Sequence, residues 1–330
     1  MRKLLLWSLP VLLLLLSGLT GYQFLLAPQA PPQSLSYQLK AGASLSQVAT
    51  DLEAIGVIRS SLSLKLLAKL NNLGGRIQSG NYRFSEPATP STVLARLSSG
   101  DVEKVSLTIP EGFSLALIAE RIAALGFADQ QKFLELAYDQ TFIQKLKIQA
   151  DSLEGYLFPE TYLFTQGIDE GTLLQMMVEE FRENLSADLL SKAQALQLTL
   201  HQLVTLASII EKETGKLSEM PLISAVFHNR LKRGIPLQTD PSVIYGIKDF
   251  DGNLTRKHLQ TPTPYNSYRH KGLPPGPIAS PGLAALRAAA APADSDYLYF
   301  VSRGDGSHQF SRTLNEHNQA VRQYQLNRRH

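Results

Sequence analysis

The chain opens with an uncharged run from Leu4 to Leu26, with Arg2 and Lys3 before it and no charge after it until Lys40. A helix of ~20 apolar residues crosses a hydrocarbon core of ~30 Å, so the run predicts a transmembrane anchor over residues 1–27. Cations on the N-terminal side only orient the N-terminus to the cytoplasm and the rest of the chain outside it. The alternative is a cleaved signal peptide with its apolar core at Val11–Leu16, but Pro31 directly after Ala27–Ala30 is a poor cleavage context. Either reading exports the body of the protein. Pro28, Pro31 and Pro32 then predict an extended stalk over residues 28–36.

Beyond the stalk a pattern occurs twice. Leu39, Gly42, Ser44, Leu45, Val48 and Ala49 match Ile109, Gly112, Ser114, Leu115, Ile118 and Ala119, and Ile55-Gly56-Val57 matches Leu125-Gly126-Phe127. Each copy predicts a short strand, a glycine turn, a serine helix cap and a short amphipathic helix stopped by glycine. Between the copies, Gly80–Phe84 predicts a strand and Thr92–Leu97 a helix. A small α+β domain is expected over residues 37–108, and the second copy opens a domain over 109–330. Strand-then-helix units of this kind resemble LysM modules, which bind glycans containing N-acetylglucosamine. A βα repeat with a purely structural role fits the same residues.

Residues 130–200 carry mostly helical spacing, including Thr172–Leu185, around an aromatic connector at Leu153–Tyr162. Leu200–Thr214 and Leu222–Arg233 predict two further helices. From Gly234 to Gly282, Pro, Gly, Asn, Thr and Tyr dominate, which predicts a long ordered loop region. Leu283–Ala290 predicts a helix, Asp296–Ser302 and His308–Ser311 a hairpin across Gly304-Asp305-Gly306, and Asn315–Gln325 a last helix. The expected fold is α+β: a membrane helix, a small LysM-like domain and a larger mixed domain rich in helices and ordered loops.

Composition narrows the chemistry. The chain has 330 residues, 44% hydrophobic and 18% charged, which suits about two globular domains. The net charge of +3, without a basic aromatic block, gives no sign of nucleic-acid binding. The absence of cysteine removes disulfides, thiolate nucleophiles and thiolate metal sites. The seven histidines show no metal-ligand spacing, and no phosphate-binding loop occurs. Asp249–Asn253 fails as a calcium loop because Gly252 comes two positions early. Ser208 and Ser280 lack a nucleophile elbow. No metal and no cofactor is expected.

The segment Leu206–Gly215 is the strongest candidate for chemistry. Leu203, Leu206, Ala207 and Ile210 form an apolar stripe; Glu213 falls near it and Glu211 toward its edge. A desolvated carboxyl has a raised pKa, as a general acid near neutral pH requires. Two readings stay open here: a general acid, or surface carboxylates paired with Lys212 or Lys216. Downstream, Gln238, Thr239, Asp240, Tyr265, Asn266 and Tyr268 supply amide, hydroxyl and aromatic groups that suit a sugar cleft.

At these residues the sequence resembles the endolytic murein transglycosylase family (MltG or YceG-like). The matching segments are Leu153–Tyr162, Leu206–Thr214, Val226–Leu231, Pro236–Gly246, Thr261–Gly282, Tyr297–Val301 and His308–Asn318. The resemblance implies cleavage of the β-1,4 bond between N-acetylmuramic acid and N-acetylglucosamine in nascent glycan strands. The products end in 1,6-anhydro-muramic acid, and elongation stops beside the synthases at the bacterial inner membrane, with the catalytic domain in the periplasm. One glutamic acid then serves as acid and base. Helix phase and the resemblance both place that role on Glu213, with Glu211 second. Asn229, Gln238, Thr239, Asp240, Tyr245, Tyr265, Asn266 and Tyr268 are implied as cleft residues. Two other functions fit less of the chain: a non-enzymatic wall tether, and a hydrolytic muramidase using Glu213 with Glu154 or Asp240.

Overall fold

The computed structural model describes residues 17–31, 33–165 and 167–326. Most of the expected anchor, residues 1–16, lies outside the described residues. Residues 17–26 are helical (α1). Among the described residues no single helix is long and apolar enough to cross a membrane. The chain divides into two compact units. The first takes residues up to Ser106 with 163–166, and the second takes 107–162 and the remainder from Gly167.

The first unit contains β1 (Leu35–Leu39), α2 (Leu45–Ala54), α3 (Ser61–Leu70), β2 (Gly80–Phe84) and α4 (Pro90–Ser99). β1 and β2 pair antiparallel, in register from Leu35 opposite Phe84 to Leu39 opposite Gly80. Val48, Leu52, Leu64, Ala68, Tyr82, Phe84, Val93 and Leu97 close its core. The sequence pattern does not predict α3, because its leucines occupy nearly every face and show no clean period.

The internal repeat is local structure twice over. Strands β1 and β3 (Lys104–Thr108) each lead to a glycine in the left-handed region, Gly42 at φ 79° and Gly112 at φ 74°. Only glycine occupies that region without strain. The Ser44 and Ser114 hydroxyls then accept from the backbone N–H of Gln47 and Leu117, capping α2 and α5 (Leu115–Ala124).

Along the chain follow α6 (Gln130–Tyr138), α7 (Gln140–Lys145), β4 (Thr161–Thr165), which pairs with β3 and whose last three residues count with the first unit, α8 (Glu170–Glu183) and α9 (Ala187–Ala195). β4 corrects the helical reading of residues 130–200: Tyr162 and Phe164 alternate inward with the period of a strand. α10 (Leu200–Glu213) and α11 (Met220–Lys232) follow. The loop region then holds two short helices that its composition concealed, α12 (Asp240–Tyr245) and α13 (Arg256–Gln260). α14 (Leu283–Ala290), the antiparallel hairpin of β5 (Tyr299–Ser302) and β6 (His308–Ser311), and α15 (Leu314–Val321) come next, and a π-helical turn at Arg322–Leu326 ends the described residues.

The core of the second unit is α10. Thr199 and Gln202 form a capping box at its start, and every residue from Leu203 to Ile210 is buried. The expected one-sided apolar stripe is therefore corrected: α14, α11, α12 and α9 pack around the helix on several sides. Ala285, Ala288 and Ala289 on α14 are small enough to admit α10 closely.

Candidate active site

α10 ends at Glu213, where Thr214 turns extended at φ −150°. Residues two apart on a helix point about 200° apart, so its two terminal glutamates face different surroundings. Glu211 Oε2 accepts from the backbone N–H of Gly282, 3.0 Å away, at the N-cap of α14. Burial raises its pKa, and the neighbouring Glu111 carboxylate adds to the rise. Glu213 instead opens onto a cavity of about 490 Å³, a size within the range of ligand clefts.

Burial pushes the Glu213 carboxyl up to about 7, with the Thr239 hydroxyl opposing, Asp240 reinforcing and Arg230 opposing. Thr239 Oγ1 is buried without a hydrogen-bond partner of good geometry. The rest of that residue is fixed: its N–H donates to Ser267 Oγ at 2.9 Å, and its carbonyl accepts from Ser242 Oγ at 2.9 Å.

Arg230, on α11, is buried in the wall of the same cavity. Its Nε donates to the Leu298 carbonyl at 2.7 Å, and its Nη1 reaches the carbonyls of Pro236 and Leu237 and Gln238 Oε1 at 2.9–3.1 Å. The guanidinium also lies over the Tyr299 ring, 5.1 Å from its centroid. One cation thereby ties α11 to the loop before α12 and to β5. Gln238 sits at φ 51°, a strained conformation for a residue with a side chain, and its N–H donates to the Ser267 carbonyl. Asp240 accepts from the Tyr268 hydroxyl at 2.7 Å.

Of the residues expected in a cleft, Glu213, Gln238, Asp240 and Tyr268 line this cavity together, with Thr239 just behind. Asn229, Tyr245, Tyr265 and Asn266 do not line it. Asn229 Nδ2 donates to the carbonyls of Ser295 and Tyr297. Asn266, fully buried, donates to the carbonyls of His258, Leu259 and Thr261. These two amides spend their donors folding loops, a use that sequence cannot separate from sugar binding. The Tyr245 hydroxyl donates to Glu154 Oε2 at 3.0 Å, and the Tyr265 ring packs on Tyr245 at 4.8 Å. Glu154 is buried, raised to about 7 by desolvation against the hydrogen bonds it receives, and accepts from Leu115 N–H at the start of α5. It caps a helix and is absent from the cavity wall, as is Glu211.

Sequence reasoning missed the opposite wall, where β5, β6 and α15 bring Tyr299, His308, His317 and Asn318 to the cavity. His308 Nδ1 lies 2.7 Å from Glu219 Oε2. Burial would raise the Glu219 carboxyl, but its contacts with His308 outweigh that and hold it low. His317 stacks on Tyr299, centroids 5.1 Å apart, and burial lowers its pKa. Both histidines lie in the His308–Asn318 segment, where no ligand spacing singled them out.

The YceG-like family pattern matches residues 37–323. The chain belongs to the YceG-like family. Among its relatives, the endolytic murein transglycosylase of Bacillus subtilis (strain 168) is 32% identical over 88% of this chain and 85% of its own length. The endolytic murein transglycosylase of Streptococcus pneumoniae is 30% identical over 88% of this chain, which spans 60% of that longer relative. A crystal structure of a YceG-like protein from Listeria monocytogenes superimposes with a TM-score of 0.61 at 32% identity, covering 87% of this chain and 98% of its own. Family membership thus extends over the helix that carries Glu213, the loops that follow and the hairpin that closes the cavity.

Proposed function

We propose that this protein is a membrane-anchored endolytic transglycosylase of peptidoglycan, with Glu213 as its acid and base. The observation that carries the reading is the position of Glu213: a desolvated carboxyl, raised to about 7, at the rim of a polar, tyrosine-bearing cavity. Relatives named endolytic murein transglycosylases supply the reaction class.

In this mechanism the protonated carboxyl donates its proton to the oxygen linking N-acetylmuramic acid to N-acetylglucosamine, and the muramic C1–O bond breaks. The Glu213 carboxylate then takes the proton of the muramic C6 hydroxyl as O6 bonds to C1. An anhydro ring closes, no water is consumed, and Glu213 returns to its starting state. A pKa near the working pH serves both halves of the cycle. Arg230 and the Thr239 hydroxyl favour the carboxylate between the two transfers, and the Asp240 charge favours its reprotonation.

A second reading has one observation in its favour: Asp240 shares the cavity with Glu213, and a hydrolase needs two carboxylates. Mass spectrometry of peptidoglycan digested by the full chain separates the two. Anhydro ends are expected; reducing ends would establish hydrolysis instead. Glu213→Gln is expected to abolish product release while glycan binding persists, and retained activity in that variant would remove Glu213 from the mechanism.

The uncharged run Leu4–Leu26, with cations only before it, supports an inner-membrane anchor with the N-terminus cytoplasmic and both units periplasmic as part of this proposal. The first unit is assigned a LysM-like role in holding glycan, and synthases at the same membrane are the expected partners. Resistance to carbonate extraction and protection from external protease test the topology.

A further inference from the structure

The outward face of α3 has no role in the chemistry, and it is apolar. Leu62, Leu66 and Leu70 are exposed by 62%, 52% and 82%. Their spacing of four puts them on one side of the helix as a stripe. The opposite side already supplies the core through Leu64 and Ala68, with Leu67 packed against it. Lone exposed leucines are ordinary, but three on successive turns of one short helix are a surface awaiting a partner. Lys65 and Lys69 lie along one edge of the stripe.

The chain itself indicates what lies beside this face. Arg59, two residues before α3, places its guanidinium over the Phe24 ring at 4.2 Å from the centroid. Phe24 belongs to α1, the end of the apolar run. The link between them is short and pinned. Gln29 forms a backbone bridge with Ala88, and its Nε2 donates to the Gly56 carbonyl at 3.0 Å. Three residues from Leu26 to Gln29 span at most about 10 Å. Wherever the apolar run leaves the bilayer, the start of α3 is therefore held close by.

We propose that α3 lies on the membrane surface, its Leu62, Leu66 and Leu70 seated among the acyl chains and its Lys65 and Lys69 against anionic headgroups. The stripe and its basic flank have the composition of an interfacial helix, and each cation near an anionic surface adds to the attraction. The first unit is thereby pressed against the bilayer instead of hanging from a loose tether. The proposal rests on the anchored reading of residues 4–26.

The absence of cysteine makes single-site labelling direct. The full chain, reconstituted in vesicles of phosphatidylcholine and phosphatidylglycerol, is labelled through Leu66→Cys or, in α1, Leu19→Cys with an environment-sensitive dye. Quenching by nitroxide lipid and by aqueous iodide is then measured. Lipid quenching and iodide shielding at both positions are expected. Lipid quenching at position 19 with an iodide-open position 66 would overturn the surface contact and leave the anchor standing. Shielding of position 66 from both quenchers would overturn it in favour of a protein partner or a second copy. Loss of lipid quenching at position 19 would mean that the anchor reading itself has failed. Adding Lys65→Glu and Lys69→Glu to Leu66→Cys should open position 66 to iodide in anionic vesicles; no change would remove the headgroup contact from the proposal.

Discussion

Glu211 accepts a hydrogen bond from the backbone N–H of Gly282 at 3.0 Å, and so the carboxyl two residues before Glu213 is committed to capping α14. Two glutamates that differ little in sequence context are thereby separated in role. Glu211→Ala should cost about 1 kcal/mol of stability, the value of a helix cap, and leave most of the activity. Urea unfolding and product assay of Glu211→Ala beside Glu213→Gln measure both; severe loss of turnover in the first variant alone would reverse the assignment.

Glu213 and Glu154 both have carboxyls raised from 4.5 to about 7 in the folded chain. A carboxyl raised by folding binds its proton more tightly in the native state than in the unfolded one. Its contribution is fully present below pH ~4.5 and is lost as pH rises through ~7, at up to about 1.4 kcal/mol for each tenfold difference in proton affinity between the two states. Unfolding free energies measured from pH 5 to 8 should therefore fall less steeply in Glu213→Gln than in the unaltered protein. A parallel profile would show that folding leaves this carboxyl unperturbed.

Activity should follow the same group. kcat/KM is expected to decline above pH ~7 as Glu213 loses the proton it must donate. A profile flat to pH 9 would require another proton donor.

Glu154 provides a test of structure against chemistry. Glu154→Ala leaves Leu115 N–H and the Tyr245 hydroxyl without their buried acceptor, a loss of about 2–4 kcal/mol. Glu154→Gln keeps an acceptor oxygen and should stay folded and active. An inactive, fully folded Glu154→Gln would bring this residue back as a second catalytic acid.

Arg230 holds three carbonyls and Gln238 Oε1 in the cavity wall. A lysine at this position keeps the charge but not the planar fork. Arg230→Lys should destabilise by about 2 kcal/mol through donors left unreplaced and lower kcat/KM as Gln238 loses its support. Denaturant midpoints and steady-state kinetics read the two effects.

Gly155, in the aromatic connector, has φ 80°, and a Cβ there would stand 2.5 Å from Pro277 Cβ and 3.0 Å from Val204 Cγ1. Gly155→Ala combines backbone strain with overpacking and should cost about 3 kcal/mol. A melting temperature equal to that of the unaltered protein would mean that this close approach is absent.

Much of the local structure was legible in the chain. The repeated Gly–Ser spacing specified two turns and two caps, because a left-handed glycine and a serine cap act within a few residues of themselves. The β5–β6 hairpin followed from two strand-prone segments on either side of the turn at Gly304 to Gly306. α3 and β4 were obscured, since leucines on most faces and a five-residue strand leave no clear period. The helix carrying Glu213, the loop residues Gln238, Asp240 and Tyr268, and the family likeness were likewise readable in the chain.

What the chain alone determined is thus most of the local elements, α3, β4, α12 and α13 excepted, and the presence of an acid at the end of an apolar helix. Only the tertiary structure decided which acid meets the cavity. Helix phase and the family likeness put Glu213 ahead of Glu211, but α10 is buried on several sides, so its apolar stripe marks the phase only weakly; the separate surroundings of the two acids come from Gly282, Thr239 and Arg230, brought in from other elements. The same holds for Asn229, Asn266, Tyr245 and Tyr265: a polar side chain has the same sequence signature whether it binds a sugar or a neighbouring carbonyl. Its partner, set by long-range packing, makes the difference.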